Sequence, residues 1–144
     1  MKTSGPKNRS IETHKPTIQV AAAVIQAQGR FLITRRRSDV DLPGYWEFPG
    51  GKREEGELLE DCVQREVQEE LGVEVALPVW LRSWWYEYPD KVVELHFFRC
   101  VIIQGEPRPL GCADWRWVFP ADLTTYQFPP ADERMIAELQ GRQL

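Results

Sequence analysis

Two spacings of apolar residues alternate along this chain. From Thr17 to Ala27 (TIQVAAAVIQA) the residues are mostly β-branched or small and apolar. RFLITRR follows, across a Gln26–Arg30 turn marked by Gly29, so two strands joined as a hairpin are predicted. Beyond Gly50 the period lengthens. At about 100° per residue, Leu59, Val63, Val67 and Leu71 fall on one stripe, with Glu60, Asp61, Gln64 and Gln68 on the wet side. Gly72 closes the helix this predicts. Residues 73 to 81 and 83 to 88 read as strand, Pro89-Asp90 as a hairpin turn, and 91 to 103 as a returning strand. Gly105, Pro107 and Pro109 make residues 104 to 113 a loop, ahead of a short strand from Trp115 to Phe119. FPPADERMIAELQ gives a turn and a last helix, with Asp132 at an N-cap position and Ile136, Ala137 and Leu139 facing inward. Strand-rich halves around one long helix, with a second at the end, predict an α/β domain with a mixed sheet between helical layers.

Composition narrows the class. A chain of 144 residues that is 42% apolar and 28% charged has the make-up of one globular domain. The expected division is a flexible, locally basic tail over residues 1–16 (Lys2, Lys7, Arg9, Lys15) and a domain over 17–144. A formal charge of -4 argues against stable nucleic-acid binding. Three cysteines, Cys62, Cys100 and Cys112, lack metal-ligand spacing and read as reduced thiols. No apolar run reaches membrane-spanning length and the N-terminus lacks an apolar leader, so a cytoplasmic protein is expected.

The chemistry concentrates on the helix. Glu66, Glu69 and Glu70 flank the apolar stripe instead of lying on the wet side. Such a run is often only a charged face, but anions aimed along the protein body repel and resist desolvation. A hard divalent cation removes both penalties, and Mg²⁺ characteristically takes a few carboxylates together with substrate phosphate. Ahead of them, Pro49 and the glycines of GYWEFPGGK allow close backbone approach, leaving a bare carbonyl able to face a metal. Glu47 is either an ordinary strand carboxylate or a support for this site. Arg35, Arg36 and Arg37 form either a solvated strand end or a source of phosphate contacts. Trp80, Trp84, Trp85, Tyr86 and Tyr88 are core residues or surfaces for stacking on a base. His96 has no partner at a spacing that suggests catalysis. With no serine, cysteine or histidine set up as a nucleophile, water attacking phosphorus is the simplest reaction such a site supports.

Gly51, five residues, Glu57, seven residues, then Arg65-Glu66-Val67-x-Glu69-Glu70-x-Gly72-Val73 resembles the signature of the Nudix hydrolases at every fixed position. The resemblance implies the Nudix fold, an α/β/α sandwich with a mixed β-sheet. It implies that Glu66, Glu69, Glu70 and the Gly50 carbonyl bind Mg²⁺, with Mn²⁺ able to substitute. Glu69 or Glu70 then helps to activate water, Arg65 orients the carboxylates, and Glu57 supports the metal less directly. ITRR, WEFPGGK, YEYPDK, DWRWV and FPPADE are similar to segments of the MutT-like branch. Members of that branch cleave 8-oxo-dGTP to the monophosphate and pyrophosphate, and cytidine-nucleotide relatives stand close by. On that likeness Arg36, Phe48, Tyr88, Lys91 and Asp132 contact the nucleotide, a small molecule, in a monomer or homodimer. Two departures stand out. Pro109 occupies the place of a loop glutamate, leaving Glu106 or Asp114 as substitutes, and Asp132 stands where the bacterial 8-oxoguanine enzyme has asparagine. As an ionised acceptor Asp132 suits N1–H and the 2-amino group of guanine or the 4-amino group of cytosine. A non-catalytic nucleotide-sensing module of the same fold is the alternative of a different class.

Overall fold

A computed structural model describes residues 15–141, so the expected tail lies outside the described residues except for Lys15 and Pro16. Strand β1 (Thr17–Ala27) turns through Gln28 and Gly29, at φ 53° and 77°, into β2 (Arg30–Arg35). Positive φ at both turn residues suits the twist of a two-residue hairpin. Short strands β3 (Trp46–Glu47) and β4 (Gly50–Lys52) precede helix α1 (Leu59–Leu71). Long strands β5 (Glu74–Tyr88) and β6 (Lys91–Gln104) follow, then β7 (Asp114–Val118), 3₁₀ turns at Pro120–Thr125 and Pro130–Asp132, and helix α2 (Glu133–Leu139).

The sheet is mixed, as expected. β1 runs parallel to β6, from Thr17 opposite Val92 to Ile25 opposite Cys100, and antiparallel to β2 and β4. β2 also pairs β3 and β7, while β5 pairs only β6 among the described strands and forms an edge. Because successive strand residues point to opposite faces, β1 feeds two cores. Ala21, Ala23 and Ile25 pack with Val63, Val67 and Leu71 of α1. Ala22 and Val24 pack on the other side with Phe97, Leu123, Met135 and Ile136. Those two layers account for the near-continuous apolar run of β1, since a strand covered on both faces has no wet side.

Helix α1 begins without a side-chain cap, but Glu60 and Asp61 in its first turn suit the positive end of the helix dipole. It ends at Gly72 in the left-handed conformation (φ 71°), whose N–H returns to the Gln68 carbonyl. The loop of residues 105–113 completes that end: Arg108 N donates to Leu71 O at 2.9 Å, and Leu110 N and Gly111 N donate to Glu70 O at 3.0 Å. Carbonyls that a helix C-terminus leaves orphaned are thus paired with main chain.

Three expectations change. Residues 74–88 form one strand with register irregularities at Glu74/Val75, Ala76/Val79 and Trp80/Arg82, Leu77 taking φ 54° at the second. Trp80 and Trp85 are 57% and 52% exposed, so of the aromatic cluster it is Trp84, against Phe97, that joins the core. Asp132 precedes α2 without making a side-chain cap; its backbone is already helical and its side chain is buried. The three cysteines are free thiols. No helix among the described residues is long and apolar enough to cross a membrane.

Candidate functional site

One cleft of about 840 Å³, within the usual size range of small-molecule sites, collects most of the residues singled out above. Its floor is the β1–β6 face (Val20, Ala22, Val93, Leu95), and around it stand Arg36, Glu47, Gly50, Glu66, Glu70, Tyr88, Lys91 and Asp132. Phe48 lines it too, although that ring is fully buried against Phe97 and Phe128 and is chiefly a core residue.

The glycine pair is what lets α1 reach this space. A Cβ on Gly50 would overlap the Ala21 carbonyl oxygen and sit 2.7 Å from Ala22 Cα, and one on Gly51 would overlap the Glu66 carboxylate. With hydrogens there, β4 lies close on β1 and the α1 carboxylates come over it. Gly50 N donates to Glu70 Oε1 at 3.2 Å. Burial, the nearby Glu47 carboxylate and, less strongly, Glu66 hold the Glu70 carboxyl well above the ordinary range against that one donor. Burial also raises Glu66, opposed by Arg65, and Glu47, opposed by Arg36. Three carboxyls stand in one wall, each penalised for its charge by burial, and a bound cation would offset that penalty.

Arg65 gathers the carboxylates on the outer side of this wall. It donates to both oxygens of Glu57, at 2.7 and 3.0 Å, to Glu66 Oε2 at 2.9 Å and to Glu69 Oε1 at 3.2 Å. Hydrogen bonds from Arg65 and from the Glu54 main chain pull Glu57 down to about 2. Glu57, Glu69 and Arg65 are not among the residues lining the cleft, and the Glu69 side chain is 59% exposed. No group of three His, Cys, Asp or Glu side chains among the described residues converges as a ready-made metal cage. The donor set nonetheless fits a hard divalent cation of the Mg²⁺ type, which needs only one or two carboxylates and completes its shell with water and phosphate. Glu66 and Glu70, beside a glycine backbone, are the two carboxylates of the cleft's rim that would suit such an ion.

Arg36 bonds Glu47 Oε1 at 3.0 Å and the Asp41 carbonyl at 2.6 Å, so of the three adjacent arginines it is the one turned into the cleft. Lys91 reaches Asp41 Oδ2 at 3.4 Å and lies over the Tyr88 ring. Asp132 is 6% exposed, and burial, with Glu47 adding to it, raises its carboxyl well above the ordinary range despite Arg36. Burial of this kind favours the protonated carboxyl, which both donates and accepts, the second of the two states, ionised acceptor or protonated donor, open to an aspartate at this position.

Glu47, undecided in the sequence, is a strand residue paired with Thr34 that also lines the cleft. Asp114 turns instead to Arg116 and to the Trp115 N–H, which lower its pKa, and neither it nor Glu106 lines the cleft. His96 does have partners. The register sets Ser83 opposite it, 2.6 Å from Oγ to Nδ1, and Glu94 Oε1 lies 2.8 Å from Nε2. Ser83, a cross-strand partner, carries no sequence spacing that would reveal it, whereas Glu94 stands two residues before His96 on the same strand.

The sequence matches the NUDIX domain over residues 15–139. It is 36% identical over 124 residues to the 8-oxo-dGTP diphosphatase of Escherichia coli (strain K12), covering 85% of this chain and 96% of that protein. It is 31% identical over 115 residues to the CTP pyrophosphohydrolase of the same organism, covering 80% and 85%. Its fold is similar to that of the MutT protein from Methanosarcina mazei Go1, with a TM-score of 0.79 and 25% identity over 90% of this chain and 97% of that one. A helix bearing the full Arg-Glu-x-x-Glu-Glu pattern, with Glu66 and Glu70 brought to a cleft across a glycine pair, agrees with that likeness: the chain belongs to the Nudix hydrolase family.

Proposed function

We propose that the cleft hydrolyses a nucleoside triphosphate to the monophosphate and pyrophosphate, with 8-oxo-dGTP the best-suited substrate and Mg²⁺ the ion. The observation that carries this reading is the meeting of Glu66, Glu70 and Gly50 with Arg36 and a buried Asp132 in one cleft. Similar proteins bear the names 8-oxo-dGTP diphosphatase and CTP pyrophosphohydrolase.

Nudix hydrolases act with divalent metal, and Glu66, Glu70 and the Gly50 carbonyl would hold it here, with Glu69 and Glu57 tied to the set through Arg65. When bound, the ion supplies positive charge to the phosphates and lowers the pKa of water. The chain's own residues do the rest. Arg65 holds Glu66 by one guanidinium nitrogen and Glu57 by two, so its fixed fork orients the carboxylates. Arg36 offers charge to a phosphate, and a carboxylate of the Glu69–Glu70 pair takes the proton of the attacking water. At the far side, a neutral Asp132 offers one O–H and one C=O. That pair complements O6 and N7–H of 8-oxoguanine. It complements N3 and the 4-amino group of cytosine equally, and this keeps a CTP-hydrolysing reading as the second choice. Tyr88, Lys91 and Phe48 complete the nucleoside side.

Pyrophosphate release from 8-oxo-dGTP, dGTP, CTP and dCTP with Mg²⁺ tests the assignment. The expected order places 8-oxo-dGTP first; CTP first would favour the second reading, and no release from any of them would end both. In ¹⁸O-water the label should enter pyrophosphate, from attack at the β-phosphorus. Label found only in the monophosphate would contradict it.

A further inference from the structure

On the sheet face that packs α1, a chain of hydrogen bonds runs from the edge strand to the loop before the helix. Trp80 Nε1 donates to Ser83 Oγ at 2.7 Å, and Ser83, His96 and Glu94 follow at the distances given above. Gln19 Nε2 donates to the same Glu94 Oε1 at 2.7 Å, which turns the Gln19 carbonyl oxygen toward Arg53 Nε, also at 2.7 Å. Arg53 NH1 then donates to the main-chain carbonyls of Glu54, at 3.2 Å, and Glu57, at 2.9 Å.

Those two carbonyls are the ends of a tight turn. Glu57 N donates to Glu54 O and Glu54 N to Glu57 Oε1, both at 3.0 Å, and Gly56 takes φ 80° between them. The Arg53 guanidinium ties this turn to β1, because its planar fork binds Gln19 and the turn at once. From the turn, Glu57 grips Arg65 with both oxygens, and Arg65 grips Glu66, which lines the cleft. Each link is a direct hydrogen bond.

We propose that Arg53 is a positioning residue for the cleft: by fastening the Glu54–Glu57 turn to Gln19 on the sheet, it fixes Glu57 and, through Arg65, the Glu66 carboxylate. This rests on the proposed role of Glu66 and Glu70 in holding a divalent ion. A residue that merely stabilised a surface turn would change the melting temperature and leave ion affinity alone. A positioning residue changes ion affinity, and only while Glu57 is there to transmit it.

The test is a mutant cycle read by binding of Mn²⁺ alone to the full chain, followed by calorimetry, with Tm recorded for each variant. Arg53→Met should raise the Mn²⁺ Kd about tenfold, in the range of supports one layer out from a metal. In a Glu57→Gln background the same change should raise it less than about twofold, since the link is already broken. Equal fold-changes in the two backgrounds, or an unchanged Kd with a lowered Tm, would overturn the proposal. If Arg53→Met does not fold, Gln19→Met, which removes the acceptor orienting Arg53 Nε together with the donor to Glu94, enters the same cycle under the same criteria. Glu70→Gln is measured alongside. Parent-like Mn²⁺ affinity in that variant overturns the ion site and this proposal with it, whereas lost affinity there with a failed cycle overturns the role of Arg53 alone.

Discussion

Glu70 and Asp132 are acids held in the protein at a cost. Glu70 is pushed up by burial, Glu47 and Glu66, with one backbone N–H as its hydrogen-bond donor. Glu70→Gln should therefore stabilise the fold, by about 4 °C in Tm for each ~1 kcal/mol relieved in a domain of this size. The same change should lower kcat/KM by at least about a hundredfold. Stability and activity moving in opposite directions is the readout, and a variant that melts lower and stays active would refute it. For Asp132 the effect depends on pH. Its folded pKa is raised, so the folded chain holds a proton that the unfolded chain releases above its ordinary pKa of about 3.9. Stability from this group is full below that pKa and declines as pH rises toward the folded value. Asp132→Asn removes the decline, so the Tm gap between variant and parent should widen from pH 5 to pH 8, and a constant gap would count against it. The spacing of Glu66 and Glu70 was legible in the sequence because a helix has a fixed period. The state of Asp132 was not, since burial depends on what the rest of the chain lays over it; the residue does stand at the N-cap position expected of it, but its side chain makes no capping bond.

Among the elements, α1 was readable nearly to the residue: Leu59, Val63, Val67 and Leu71 mark the face, and Gly72 the end. Strands β3 and β4 were not, because two- and three-residue strands exist only through pairing with β2 and β1. β5 was read as two pieces and is one, bent by irregularities that local propensity does not encode. The contact between β4 and α1 gives a prediction at this scale. Gly51→Ala puts a methyl group where the Glu66 carboxylate lies. Since that carboxylate is the movable end of a side chain, the fold should survive while Glu66 leaves Arg65. Activity should fall at least about tenfold with Tm changed by less than a few degrees, measured by pyrophosphate release and thermal melting. A variant as active as the parent would show that Glu66 has room to spare.

For the whole molecule, the alternation of β1 decides the architecture: one strand supplies side chains to both cores, so neither layer is complete without it. The two should melt together. Leu71→Ala on the α1 side and Met135→Ala on the α2 side, both fully buried positions, should each cost about 2–5 kcal/mol. Each should lower one transition seen alike by far-ultraviolet and near-ultraviolet signals. Separate transitions in either variant would mean that the layers fold apart. The mixed sheet and two helical layers were legible from the order of elements, but the parallel pairing of β1 with β6 was not, since it joins segments far apart in sequence.

The division into two cores has a consequence for how such a chain diversifies. The carboxylates over Gly50 and Gly51 belong to the helix on one core, while Asp132 stands at the entrance of the helix on the other. If Asp132 reads the base and the α1 carboxylates serve bond cleavage, as proposed, mutations that alter the one fall on different packing from those that alter the other, and a lineage is free to exchange its nucleotide while inheriting its chemistry intact.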